Sequence, residues 1–283
     1  MMTDSGIAER WAVLDSARMR YLQAGSGTPL VLVHGLLGYS FSWRFVLPAL
    51  AQLSEVFAVD QLGAGYSDRP TQLDCSFSAS ATRLLRFLDQ VGIVSCDLLG
   101  TSHGGAVAMI AASLARNRVK RLILVAPVNP WSSRGKLLAP FLSNPVMSPL
   151  LLQSAPLLEI CNKIVLRRMY GDTRKIAPGT MEGYSAPLRL PGALRYPLGV
   201  LQNWGRGLDE LRGALPRIRE VPTLLAWGSL DRAVYPWSSA MLRKQFSRCR
   251  LVMMEGVGHL PYEEEPKDFN RIVMEFLNAK SAA

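Results

Sequence analysis

The sequence predicts an α/β fold: a mostly parallel sheet flanked by helices, with a helical lid inserted late in the chain. Three observations predict it. Short runs rich in Val, Ile and Leu, each bounded by Gly, Pro or Asp, recur as strands buried on both faces of a parallel sheet do. Segments with apolar residues at helical spacing lie between them, the alternation that right-handed crossovers produce. The rhythm then breaks between about residues 130 and 219, where most of the prolines gather and no buried strand can be read.

The elements follow in order. Trp11 to Leu22 reads as a hairpin at the sheet edge. Leu30 to Val33 leads into His34-Gly35, Val56 to Val59 into Asp60, and Asp97 to Leu99 into Gly100. Arg121 to Val125 ends at Ala126-Pro127, Thr223 to Trp227 at Gly228, and Leu251 to Met254 at Glu255-Gly256. Between the strands, Ala79 to Val91 spaces Leu84, Leu85, Leu88 and Val91 as a helix does. Gly104 to Ala115 is small and apolar nearly all round, which suits a helix buried on a sheet. Lys267 to Ala279 gathers Phe269, Ile272, Val273, Phe276 and Leu277 on one face. Residues 1–129 and 220–283 are therefore expected to form the core, and 130–219 a helical lid over the C-terminal edge of the sheet.

Composition excludes several classes. With 283 residues and 49% hydrophobic content, the chain suits one large domain with an insertion. Cys75, Cys96, Cys161 and Cys249 show no paired spacing, so unpaired thiols in a reducing cytosol are expected. The first fifteen residues lack the apolar core of a signal peptide, and the apolar stretch from Leu137 to Ile160 is broken by four prolines. A cytoplasmic protein with no stable membrane insertion is the expectation. The net charge of +10 does not imply nucleic-acid binding, because the basic residues are scattered and no binding motif accompanies them. Residues 131–218 hold 12 basic and 5 acidic residues, so most of the excess sits in the lid, where peripheral contact with an anionic surface or attraction of an anionic substrate is conceivable.

The chemistry rests on Gly100-Thr101-Ser102-His103-Gly104, directly after a strand and opening a helix. At such a sharp junction the serine hydroxyl stands out above the sheet, and the helix aims its N-terminal amides at a developing oxyanion. A serine needs a base, and the chain has 3 histidines. His34 lies in a turn after the first inner strand, and the side chain of His103 should point away from the site. His259, on the loop after the last strand, remains. Asp231, just past Gly228, is the carboxylate at the same sheet edge and would fix the imidazole tautomer. The order Ser, Asp, His differs from the trypsin-like and subtilisin-like orders.

With these motifs on the page, the chain resembles an α/β-hydrolase from about residue 10 onward. His34-Gly35-Leu36-Leu37-Gly38 is similar to the family's oxyanion loop, and Asp60-Gln61-Leu62-Gly63-Ala64-Gly65-Tyr66-Ser67 to the turn after the next strand. The resemblance implies an oxyanion hole from the backbone amides of Leu36 and His103, and no metal or organic cofactor. Dehalogenases and epoxide hydrolases of this fold carry aspartate at the elbow; Ser102 instead favours acyl transfer to water. The segment Phe41-Ser42-Trp43-Arg44 resembles those subfamilies and the carbon–carbon bond hydrolases. The expected substrate is a small hydrophobic ester. Carbon–carbon cleavage, acyl transfer to an alcohol and a ligand-binding role with little turnover stay open. Phe141, Met147, Leu150 to Leu152, Leu157, Leu158, Tyr184 and Trp204 are candidates to wall an acyl pocket.

Overall fold

A computed structural model describes residues 6–132 and 155–279, with side chains throughout except over 155–161. The expected fold is present: among the described residues eight strands form one mostly parallel sheet. The edge hairpin is β1 (Ala8–Leu14) and β2 (Ala17–Ala24), antiparallel around Asp15, which takes the positive φ of 55° that a tight hairpin needs. From β3 (Pro29–Val33) and β4 (Glu55–Val59) through β5 (Cys96–Thr101), β6 (Val119–Val125), β7 (Thr223–Gly228) and β8 (Cys249–Met254) every pairing is parallel. The order across the sheet is β1-β2-β4-β3-β5-β6-β7-β8, and the hairpin joins the parallel strands through an antiparallel pairing of β2 with β4.

The inner strands are apolar on both faces because both are covered. Leu30 and Leu32 join one core with α1 (Leu47–Leu50) and the terminal helix (Pro266–Asn278), whereas Val31 and Val33 join a second core with α2 (Phe77–Gln90) and α3 (His103–Leu114). The start of α2 is fixed by Ser76, whose hydroxyl accepts from the Ala79 amide at 3.2 Å. Cys96 and Cys249 open β5 and β8, and Cys75, Cys96 and Cys249 are unpaired.

Between β6 and β7 the described residues include the helices α4 (Ala155–Met169), α5 (Thr180–Ser185), α6 (Arg195–Gln202) and α7 (Trp204–Ala214), and no strand. Leu208 and Leu211 of α7 are buried in the same core as α3. Tyr184 is pinned to the core by its hydroxyl, which donates to Glu263 Oε1 at 2.8 Å, while Arg44 grips the same carboxylate with both guanidinium nitrogens at 2.5 and 2.6 Å. Phe141, Met147 and Leu150 to Leu152 lie outside the described residues, as do the side chains of Cys161, Leu157 and Leu158. Among the described residues no helix is long and apolar enough to cross a membrane.

Candidate active site

Ser102 sits between β5 and α3 with φ 52° and ψ −121°, a backbone region that non-glycine residues rarely enter. Surrounding hydrogen bonds hold it there. Its amide donates to the Val125 carbonyl at 3.0 Å, and its own carbonyl accepts from Gly105 at 3.1 Å and Val128 at 3.0 Å. The flanking glycines answer to close packing. A Cβ at Gly104 would overlap the carbonyls of Val33 and His34, and one at Gly100 would meet the Gly104 carbonyl. The serine thus caps a 12-residue buried helix at its positive end.

The turn from Gly35 to Gly38 lies against this elbow, and a Cβ on Gly35 would come within 3.2 Å of the Ser102 Cβ. Gly38 donates to the Gly35 carbonyl at 3.0 Å, and Leu37 takes φ 62°. His34 is wholly structural in its contacts: Nδ1 donates to the Gly35 carbonyl at 2.8 Å and Nε2 accepts from the Gln61 amide at 3.0 Å. Burial pushes its pKa down, which keeps it in this neutral tautomer. The side chain of His103 does point away from the cavity. Its ring packs edge-on against Phe77 at 4.8 Å, and burial lowers its pKa to about 3. Neither ring nitrogen has a hydrogen-bond partner among the described residues.

Asp231 and His259 meet. Oδ2 of Asp231 accepts from Nδ1 of His259 at 2.7 Å, and Oδ1 accepts from the amides of Ala233 at 2.7 Å and Val234 at 3.0 Å. Both side chains are buried. The loops carrying them are laced together, with the Leu230 amide on the Val257 carbonyl at 2.8 Å and the Gly256 amide on Ser229 Oγ at 2.9 Å. With Nδ1 committed to Asp231, Nε2 is the free nitrogen of His259. Asp97, by contrast, pairs with Arg121 at 2.6 Å within the body of the sheet.

Ser102 and His259 line one cavity of about 690 Å³, together with Gly35, Leu36, Leu37 and Gly38 of the turn. Val128, Leu166, Met169 and Val234 make it predominantly apolar, and Tyr184 and Trp204 join the wall as expected of them. Sequence reasoning missed four contributors. Ser42 lines the cavity, and Arg168 and Arg232 stand at its rim. Glu264 lies beneath the His259 loop, where it accepts from the amides of Gly258 at 2.7 Å, Gly171 at 2.9 Å and Asp172 at 3.3 Å. The run Glu263-Glu264-Glu265 soon after His259 was the signal for the last of these, since buried acids need partners.

An elbow serine, a histidine–aspartate pair and an amide-bearing turn converge on one cavity, and the sequence model of the alpha/beta hydrolase family matches residues 30–272. The chain belongs to the alpha/beta hydrolase family. Family members this similar carry different activities in their names. One is 2-hydroxymuconate semialdehyde hydrolase of Pseudomonas sp. strain CF600, 30% identical over 273 residues, covering 92% of this chain and 90% of that protein. Another is haloalkane dehalogenase 2 of Mycobacterium bovis, 28% identical over 282 residues, covering 94% and 93%. The meta-cleavage product hydrolase of Pseudomonas fluorescens IP01 superimposes with a TM-score of 0.79 at 24% identity, covering 95% of this chain and 97% of that one, a likeness of fold. Family membership therefore supports a hydrolase without choosing the bond.

Proposed function

We propose that this protein is a serine hydrolase that cleaves apolar carboxylic esters through an acyl-enzyme on Ser102. The observation that carries this reading is the convergence of a strained elbow serine and a buried His259–Asp231 pair on one apolar cavity. In this mechanism Ser102 Oγ attacks the ester carbonyl while Nε2 of His259 takes the hydroxyl proton. Asp231 holds the imidazole in the required tautomer and stabilises the imidazolium. The amides of Leu36 and His103 receive the oxyanion, each worth about 3 kcal/mol in comparable sites. The imidazolium then protonates the departing alcohol, and water repeats the steps to release the acid.

A second reading, hydrolysis of a carbon–carbon bond next to a ketone, uses the same groups. It is favoured by the 30% identity to 2-hydroxymuconate semialdehyde hydrolase. Labelling with a fluorophosphonate, wild type against Ser102→Ala, tests the common core: label that depends on Ser102 is expected, and a folded wild type that takes none overturns the reading in favour of a binding protein. A p-nitrophenyl ester series graded by acyl length, run beside a vinylogous diketone, then separates the two bonds. Faster turnover of the diketone than of any ester would replace the first reading with the second.

A further inference from the structure

Among the described residues, Arg168 and Arg232 are the two arginines lining the predominantly apolar Ser102 cavity, and both are exposed. The same two residues line a neighbouring groove of about 500 Å³, where Arg167 and Arg174 join them. The cavity and the groove thus share a wall, and the shared part carries positive charge. Asp172, the one acidic residue lining the groove among the described residues, is committed to Arg174, with Oδ2 accepting from Nη2 at 2.8 Å. Among the described residues Arg168 makes no hydrogen bond or ion pair, and it is exposed at the end of α4. Tyr170 and Leu230 give the groove some apolar surface between the charges.

An ester held for attack by Ser102 has two ends to accommodate. The apolar interior suits an acyl chain, which leaves the alcohol portion to extend past the rim. There it meets guanidinium groups, which bind phosphate oxygens through paired, charge-assisted hydrogen bonds. Resting on the ester-hydrolase reading above, we propose that the preferred substrates carry a phosphate on the alcohol side of the scissile ester, bound by Arg168 where the cavity opens into the groove. Recognition is then amphipathic: burial of the acyl chain provides affinity, and the cationic vestibule selects the leaving group. The location of the positive excess also follows, because the lid residues at this rim supply Arg167, Arg168 and Arg174.

The test compares two soluble esters that differ in one group, 1-hexanoyl-glycerol and 1-hexanoyl-glycerol 3-phosphate, by release of hexanoate. Wild type is expected to show kcat/KM roughly tenfold higher for the phosphate ester, mostly through KM, with the preference shrinking as salt rises from 50 to 500 mM. Arg168→Ala should lower that preference several-fold, and Arg168→Glu should abolish or invert it. Ser102→Ala should abolish release from both. Equal turnover of the two esters, or a preference untouched by Arg168→Glu, overturns this proposal while leaving ester hydrolysis standing. If wild type releases hexanoate from neither and ignores fluorophosphonate, the parent reading fails and this one with it.

Discussion

Ser102 occupies a backbone conformation that costs about 1–3 kcal/mol for a residue with a Cβ. The strain is borne because β5, the turn at Gly35 and α3 leave the chain no other path, and its effect is to lift the hydroxyl into the cavity. Replacing Ser102 with alanine removes the proposed nucleophile and should lower kcat on the order of 10^6-fold, with the fold intact by circular dichroism. Residual turnover within tenfold of wild type would show that another group attacks. Asp231 divides its work between its two oxygens: Oδ1 holds the loop through two amides, and Oδ2 holds Nδ1 of His259. Asp231→Asn can keep the loop bonds with its carbonyl oxygen yet offers an amide to the histidine, which favours the wrong tautomer. The expected loss is about 10^4-fold in kcat at little change in stability, read from kinetics and a urea titration side by side. A loss confined to stability would reduce Asp231 to a loop anchor.

The elements show why some of the site could be read from sequence and some could not. Strands announce themselves by runs such as Leu30 to Val33, because both faces are buried and every residue must be apolar. The elbow was readable because Gly100, Ser102 and Gly104 fall within five consecutive residues, and His259 and Asp231 because each lies on the loop just after a recognisable strand. Arg44, Glu263 and Glu264 act across the fold, and nothing local marks which residues they meet. Glu264 illustrates this. Its carboxylate ties Gly258, one residue before His259, to Gly171 and Asp172 at the end of the α4 segment, and the His259 amide itself donates to the Met169 carbonyl at 2.6 Å. The backbone carrying His259 therefore rests on the end of α4 and the residues that follow it. Burial pushes the Glu264 pKa up, opposed by the three amides that favour its charged form. Glu264→Gln turns one acceptor into a donor facing amide donors, so about 1–3 kcal/mol of stability should be lost. A fall in kcat larger than any rise in KM is expected alongside, because His259 is misplaced while the apolar cavity is not. Unchanged kcat in a destabilised variant would make Glu264 structural only.

At the scale of the whole molecule, the two buried histidines outside the proposed triad couple stability to pH. His34 and His103 are neutral in the folded protein, and burial lowers both pKa values, that of His103 to about 3. In the unfolded chain each titrates near 6.5. Below that value the unfolded state binds protons that the folded state refuses, so stability falls as pH falls from about 6.5, and the His103 contribution levels off only near 3. Its share is on the order of 3 kcal/mol by pH 4, comparable with a large part of a typical domain's total stability. His34 adds to the slope, since a proton on Nε2 would oppose the Gln61 amide that it now accepts. His103 can be separated from the general effect of acid, because its ring packs on Phe77 and its nitrogens have no partner among the described residues. Leucine in its place keeps an apolar side chain of similar size in the core and removes the titrating group. Urea unfolding of wild type and His103→Leu between pH 7.5 and 4.5 should give similar stability at the upper end and a shallower decline in the variant. Parallel curves for the two proteins would mean that the acid sensitivity resides elsewhere, with His34 the next residue to change.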